Sequence, residues 1–373
     1  MEACFAAFDK DEDGSININE FSALCKALFR NEKGKPYKLD SQQVSDLFMI
    51  FNTSGDGSMS KQEFVYCWNG WIKKIVRPQS ALVVVDVQND FISGSLALHR
   101  PVIEAAEEQD NLETRDAALY IQPRMLDTVP FDMHCYSLDW HPKDHISFIE
   151  NVGIRTLAAD SPIQDGGKCN LYDLVIFEGP PKTSQILWPA HCIQESWGAE
   201  LHKDLKVHPN AKTVFKGVNP QLDSYSAFYD NQKLSKTILD ELIRKEGVSD
   251  LYICGIATDV CVASTAFHAL ELGFRTALVS DASRGINLEN INAAYNRIKE
   301  EHGVIVNSTE VKAMVQGRDR RPELGYKLAL ECRKNITYPA KNKNSKYNKQ
   351  ITNNDGNMNG NETISNPPQL VRA

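Results

Sequence analysis

The sequence predicts an α/β protein: a doubly wound, mainly parallel sheet with helices on both faces, preceded by a small all-α domain. Two observations carry this. Residues 80–333 alternate short, continuously apolar β-type runs with segments of helical period, the pattern of a parallel sheet buried on both faces. Residues 1–75 alternate short amphipathic helical stretches with acidic, glycine-containing loops. A third segment, 340–373, is rich in Asn and Lys and poor in large apolar residues, so it is expected to be disordered. The division expected is therefore 1–75, a linker at 76–80, a second domain over 81–335, and the tail 340–373.

Composition narrows the class. The chain has 373 residues, 42% hydrophobic and 24% charged, ordinary values for a globular protein of one large domain or two. A net charge of -8 argues against a general nucleic-acid binder. No run approaches the ~18 apolar residues of a membrane span. The start Met1-Glu-Ala-Cys-Phe5 lacks the basic region and apolar core of a signal peptide. Nine scattered cysteines, an odd number, suit reduced thiols in the cytoplasm, with nuclear access open. Homo-oligomerisation is left open.

In the first domain, Asp9-Lys-Asp-Glu-Asp-Gly-Ser-Ile-Asn-Ile-Asn-Glu20 fits the twelve-residue EF-hand calcium loop position by position. Asp9, Asp11 and Asp13 supply the first three ligands, Gly14 the sharp turn, Ser15 a backbone carbonyl and Glu20 the bidentate ligand. Ile16 is placed to pair with a partner loop. The second loop, Asn52-Thr-Ser-Gly-Asp-Gly-Ser-Met-Ser-Lys-Gln-Glu63, offers Asn52, Ser54, Asp56, Ser58 and Glu63. Asn52 and Ser54 replace carboxylates, so it should hold Ca²⁺ more weakly, or only pair with the first. The whole segment resembles a paired EF-hand module of the calmodulin type.

In the second domain the β-type runs are Ala81–Val85, Asp132–Ser137, Thr213–Phe215, Leu251–Cys254, Arg275–Val279 and Val304–Asn307. Helical patterns cover Ser235–Glu246, Val260–Leu272 and Leu288–Glu301. In such folds a site lies outside the carboxyl ends of the strands. Glu104–Arg115, acidic and poor in apolar residues, reads as a surface insertion.

Several strand-end residues carry chemistry. Asp86 ends the first run and can act as a general base, although strand-end Asp is commonly only a turn residue. Asp139 and His141, two apart on extended chain, point to one side and suit one metal. His191 could complete an Asp-His-His set with open positions. His145 is a third candidate or a group behind the ligands. Lys216 ends another run; buried beside Asp86, it would favour the charged carboxylate and a thiolate. Cys261 follows the Leu251–Cys254 run at a strand-to-helix turn. A helix N-terminus there should lower its pKa, and its unpartnered N–H groups could hold an oxyanion. Taken singly, each of these has a bland structural reading.

Together these segments resemble the nicotinamidase family of the isochorismatase-like hydrolases. The matches are Val-Asp86-x-Gln-Asn-Asp-Phe91, Asp139-Trp-His141-Pro, Trp188-Pro-x-His191-Cys, Phe-Lys216-Gly and Gly-Ile-Ala257-Thr-Asp-x-Cys261, in the family's order across roughly 80–310. With the EF-hands ahead, the chain resembles the form found in insects and some other invertebrates. The resemblance implies a catalytic triad of Asp86, Lys216 and Cys261, and zinc (or another divalent metal) on Asp139, His141 and His191. It implies Phe91 and Trp188 as walls around a pyridine ring, with Tyr225 lining the pocket. It implies a cis Ile256–Ala257 peptide that aims the N–H groups of Ala257 and Cys261 at the oxyanion. The activity implied is hydrolysis of nicotinamide to nicotinate and ammonia through a Cys thioester, feeding NAD salvage. Two other readings stay open: another amidohydrolase of the superfamily, for which the metal residues would be superfluous, and an inactive calcium-sensor or scaffold protein. Ca²⁺ is read as structural or regulatory. Asp160–Thr183 reads as a lengthened loop.

Overall fold

The computed structural model describes residues 1–97, 124–334 and 336. The insertion expected at Glu104–Arg115 and the tail 340–373 lie outside the described residues. The chain divides into two compact units. One gathers Met1–Gln79, Gly273–Arg275 and the described residues from Ala313 on; the other holds the described parts of Ser80–Leu272 and Thr276–Lys312.

In the first unit, helices span Glu2–Phe8, Ile18–Leu28, Ser41–Phe51 and Lys61–Cys67, the last continuing through a π turn at Trp68–Ile72 to Val76. Three of them open with capping boxes, Asn17 with Glu20, Asp40 with Gln43 and Ser60 with Glu63, which satisfies N–H groups the helix cannot reach. Between the loops, β1 (Ser15–Asn17) pairs antiparallel with β2 (Ser58–Ser60), and Ile16 meets Met59 as expected, both buried in the core. The helix Pro322–Lys334, which the sequence reading grouped with the later domain, packs into this unit. Leu328 and Cys332, four residues apart on its apolar face, are buried here because Phe29, Trp71 and Ile75 leave an apolar face to cover.

The second unit is built on β3 (Ser80–Val85), β4 (Met133–Asp139), the pair β5 (Leu174–Phe177) and β6 (Thr183–Ile186), β7 (Lys212–Lys216), β8 (Asp250–Ile256), β9 (Arg275–Arg284) and β10 (Val304–Val306). Six strands form one sheet in the order β10-β9-β8-β3-β4-β7, flanked by helices. The registered pairs of β3 with β4 and β8, β4 with β7, and β9 with β10 are all parallel. Every residue of β3, β4 and β8 is buried, as expected of central strands in a parallel sheet covered on both faces. From β3 the chain moves outward through β4 and β7, then returns to β8 on the other side of β3. The order therefore reverses at β3/β8, and in open α/β sheets the ligand site lies outside the carboxyl ends of the strands at such a reversal.

Two expectations need correction. The helix expected over Ser235–Glu246 is shorter, Leu239–Lys245, because Ser235 bonds through its backbone N–H and its hydroxyl to the Asp230 carboxylate. That local bond competes with helix formation. Asp160–Thr183 is not only loop: it leads through β5 into an antiparallel ribbon with β6.

Candidate active site

The turn carrying Cys261 begins where β8 leaves the sheet. Gly255 has φ +126°, and a Cβ there would lie 2.1 Å from the Val85 carbonyl oxygen, so only glycine lets β8 approach β3 this closely. The Ile256–Ala257 peptide is cis. A π turn, Thr258–Val262, then carries Cys261 into the helix Ala263–Glu271. The Ala257 carbonyl accepts the N–H groups of Val260 and Val262 at 3.1 and 3.0 Å. Asp259 pins the turn from outside, its carboxylate accepting the N–H groups of Ile286 and Asn287.

Lys216 is the hub of the site. Its side chain is wholly out of water, with Nζ 2.9 Å from Asp86 Oδ2, 2.5 Å from Asp139 Oδ1, 2.8 Å from the Ser224 carbonyl and 3.5 Å from Cys261 Sγ. The register explains the meeting: Asp139 and Lys216 are paired neighbours at the ends of β4 and β7, and Asp86 directly follows β3. Asp86 takes φ +52°, a left-handed conformation that costs a non-glycine residue energy and persists where surroundings enforce it. Ser137 donates to its Oδ1 at 2.6 Å.

Burial and charge oppose one another here. Burial raises the Asp86 carboxyl to about 6; Lys216 pulls it down and Asp139 pushes it up. Burial also acts to raise Asp139, but Lys216 and His141 hold it below the usual carboxylate range. Lys216 is held well above its ordinary value, its two carboxylate neighbours outweighing burial. The Cys261 thiol is raised, not lowered as the turn alone suggested. Burial is the first cause; Lys216 acts to lower it, while the Asp86 and Asp139 charges raise it further.

Asp139, His141 and His191 offer ligand atoms within 4.8 Å of one another, all buried. His141 Nδ1 lies 2.9 Å from the Gly217 carbonyl and His191 Nδ1 2.8 Å from the Pro189 carbonyl. Each carbonyl fixes the proton on Nδ1 and leaves Nε2 as the lone-pair donor, the tautomer a metal requires. Burial, with the neighbouring His141, lowers His191 to about 4, so it is a neutral imidazole. One carboxylate and two imidazoles therefore fit a borderline divalent ion such as zinc. His145 stacks on His141 with ring centroids 4.0 Å apart, its Nδ1 2.7 Å from Ser147 Oγ and its Nε2 3.3 Å from the Leu222 carbonyl. With His141 and Asp223 it forms a second buried group. Asp223 carried no sequence signal, since nothing around it repeats a recognisable motif.

Two further residues, present in the motif around Asp86 but given no role there, hold this frame. Gln88 grips Asp139 by its main chain, accepting its N–H and donating to its carbonyl, both at 2.8 Å. Asp90 accepts the Cys192 N–H at 2.7 Å and the Ser95 N–H at 2.9 Å, tying the chain after His191 to the turn that carries Phe91. Phe91 lies against His191 with ring centroids 5.5 Å apart. Trp188 is buried, hydrogen-bonded to Tyr225, and meets Tyr172 edge-on at 5.6 Å.

In the calcium loops, Asp9, Asp11 and Asp13 converge within 4.8 Å. Asp9 Oδ1 is buried without a hydrogen-bond partner, an orphaned acceptor aimed where a cation would sit. The Glu20 carboxylate accepts the N–H groups of Lys10 and Asn17, and Ser15 donates to Asp13. In the second loop Asn52 accepts from Ser54, and Asp56 from the Ser58 N–H. Glu63 is satisfied by Thr53 and Ser60 hydroxyls and by Ser54 and Ser60 N–H groups.

Known proteins resemble this chain in both of its parts. Residues 175–311 match the isochorismatase domain family, and residues 1–67 match the EF-hand domain pair. The chain is 34% identical to the nicotinamidase of Escherichia coli, over 58% of this chain and 89% of that protein. It is 32% identical to the nicotinamidase of Saccharomyces cerevisiae, over 59% and 94% respectively. A solved nicotinamidase pyrazinamidase from Acinetobacter baumanii superposes with a TM-score of 0.51 at 33% identity, covering 63% of this chain and 99% of that one.

Proposed function

Because this chain belongs to the nicotinamidase family and is an amidohydrolase, we propose that it hydrolyses nicotinamide to nicotinate and ammonia through a thioester on Cys261. The product would feed NAD salvage. The observation that carries the mechanism is Lys216, whose ammonium touches Asp86, Asp139 and Cys261 at once.

The substrate ring lies between Phe91 and Trp188, with Tyr225, hydrogen-bonded to Trp188, lining the pocket. Asp86 takes the proton from Cys261 Sγ, and Lys216 offsets the negative charge that then rests on sulfur. The thiolate attacks the carboxamide carbon. The N–H groups of Ala257 and Cys261 receive the oxyanion, an effect worth about 3–4 kcal/mol for one donor in comparable sites. Asp86 returns its proton to the departing nitrogen, and ammonia leaves. Asp86 then takes a proton from the water that attacks the thioester; the Cys261 sulfur departs, recovers that proton, and nicotinate is released. Asp139, His141 and His191 would hold a zinc or other divalent ion, which supplies a Lewis-acid anchor for the pyridine nitrogen and so orients the carboxamide.

Ca²⁺ belongs to the first EF-hand loop, on Asp9, Asp11, Asp13, Ser15 and Glu20. The orphaned Asp9 oxygen supports this. The second loop binds more weakly, its Glu63 already satisfied by four protein donors. No helix among the described residues is long and apolar enough to cross a membrane. Nine unbridged cysteines support a reducing, cytoplasmic setting.

Acid quenching during turnover, followed by peptide mass mapping, tests the mechanism. A nicotinoyl group on the Cys261 peptide is expected. Turnover with no such adduct at any quench time, or an adduct on another residue, would refute it.

A further inference from the structure

We infer that the helix Pro322–Lys334 is the calcium module's own target helix, and that its docking and Ca²⁺ binding in the first loop strengthen one another. Calcium-binding helix pairs commonly present an apolar groove that receives an amphipathic helix from a partner. In this unit the groove is already filled from within the chain. Leu328, Ala329 and Cys332 lie in one core with Phe29 and Trp71.

The seat is built for this helix. A Cβ at Gly325 would lie 2.2 Å from a Phe29 ring carbon, so glycine is what permits the close crossing. The carbonyl of Gly325 accepts the buried Trp71 indole N–H at 2.7 Å. Trp71 sits in the π turn Trp68–Ile72, an interruption that often marks a functional position. Gly70 of that turn leaves room for Cys332 Sγ, 3.3 Å from where its Cβ would be. Tyr66 donates to the Cys332 carbonyl at 3.1 Å, and Tyr326 to Asp46 at 3.3 Å.

The coupling follows from where these contacts fall. The helix Ile18–Leu28 carries Glu20, the twelfth-position ligand of the first loop, near its start and runs directly into Phe29. The helix from Lys61 carries Glu63 near its start and Trp71 beyond. The docked helix therefore holds the far ends of both ligand-bearing helices. A ligand already held in place loses less conformational freedom when the ion binds. By linkage, the ion must favour docking by the same factor.

The inference rests on the reading that the first loop binds Ca²⁺. The test uses the full chain with zinc held constant. Ca²⁺ affinity is measured calorimetrically for wild type and Leu328→Ala. Hydrogen exchange of the amides over 324–332 is compared between wild type and Asp9→Ala, both at saturating Ca²⁺. Leu328→Ala is expected to weaken Ca²⁺ binding about tenfold, and Asp9→Ala to speed exchange of the helix by a similar factor. Wild-type affinity in Leu328→Ala, or unchanged exchange in Asp9→Ala, would overturn the coupling. If Leu328→Ala does not fold, the exchange comparison decides alone. If wild type takes up no Ca²⁺, the assignment of the loop falls as well; if it binds Ca²⁺ with no coupling, only this inference falls.

Discussion

Replacing Lys216 with Met removes a cation that lies between two buried carboxylates, 2.9 Å from Asp86 and 2.5 Å from Asp139, while keeping the side chain's length. With Lys216 present, burial leaves the Asp86 carboxyl at about 6. A carboxylate base works only when ionised, so activity should rise with pH through that value and fall about tenfold per unit below it. A unit charge at 4 Å in an effective dielectric of ~20 is worth about 4 kcal/mol, or roughly three pKa units. Without Lys216 the acidic limb should move from about 6 to roughly 9. At roughly pH 7.5 only ~3% of Asp86 would then be ionised, a loss of about 30-fold in kcat/KM from this cause alone. Raising the pH should recover it. Breaking a buried pair also costs about 3–5 kcal/mol of stability, partly relieved as Asp86 takes up a proton, so a melting curve must accompany each activity measurement. The assay is ammonia release across the pH range. A Lys216→Met profile that keeps its limb near the wild-type position and loses activity evenly at all pH values would refute the argument that Lys216 sets the charge state of the base.

Two further outcomes follow from the frame around the metal residues. Gly217→Ala places a Cβ 2.3 Å from His141 Cε1 at a position with φ +64°. It should displace the imidazole and lower bound zinc well below one ion per chain by elemental analysis; full metal content would contradict the role given to His141. Gln88→Ala leaves the buried N–H and carbonyl of Asp139 without their partners, at a cost of about 1–3 kcal/mol per group. A lower melting temperature together with a raised zinc dissociation constant is expected, and unchanged metal affinity would show that Gln88 only packs.

Much of the site was legible because its residues sit at strand ends. Asp86, Asp139 and Lys216 each lie at or next to the carboxyl end of an apolar run, and a parallel sheet brings such ends to one edge. The calcium loops were legible because ion geometry dictates residue type at fixed spacing. Other features depend on partners distant in sequence. Asp223, Gln88 and Asp259 act through bonds to main chain or side chains 27 to 51 residues away; the motifs around Asp86 and Cys261 include Gln88 and Asp259 but do not show what they bond, and no motif includes Asp223. The rise in the Cys261 pKa likewise comes from burial and two carboxylates, whereas the turn alone pointed downward. The helix Pro322–Lys334 has a plain amphipathic stripe, but a stripe does not name the core it joins.

The central claim is that Cys261, served by Asp86 and Lys216, cleaves the carboxamide of nicotinamide. Its most direct test is the release of ammonia and nicotinate from nicotinamide by the purified wild-type protein and by Cys261→Ala, with nicotinamide binding to the variant followed by calorimetry. The account predicts equal amounts of the two products from wild type, none above background from the variant, and retained binding. Hydrolysis by Cys261→Ala at the wild-type rate, or no ammonia from zinc-loaded wild type, would contradict it.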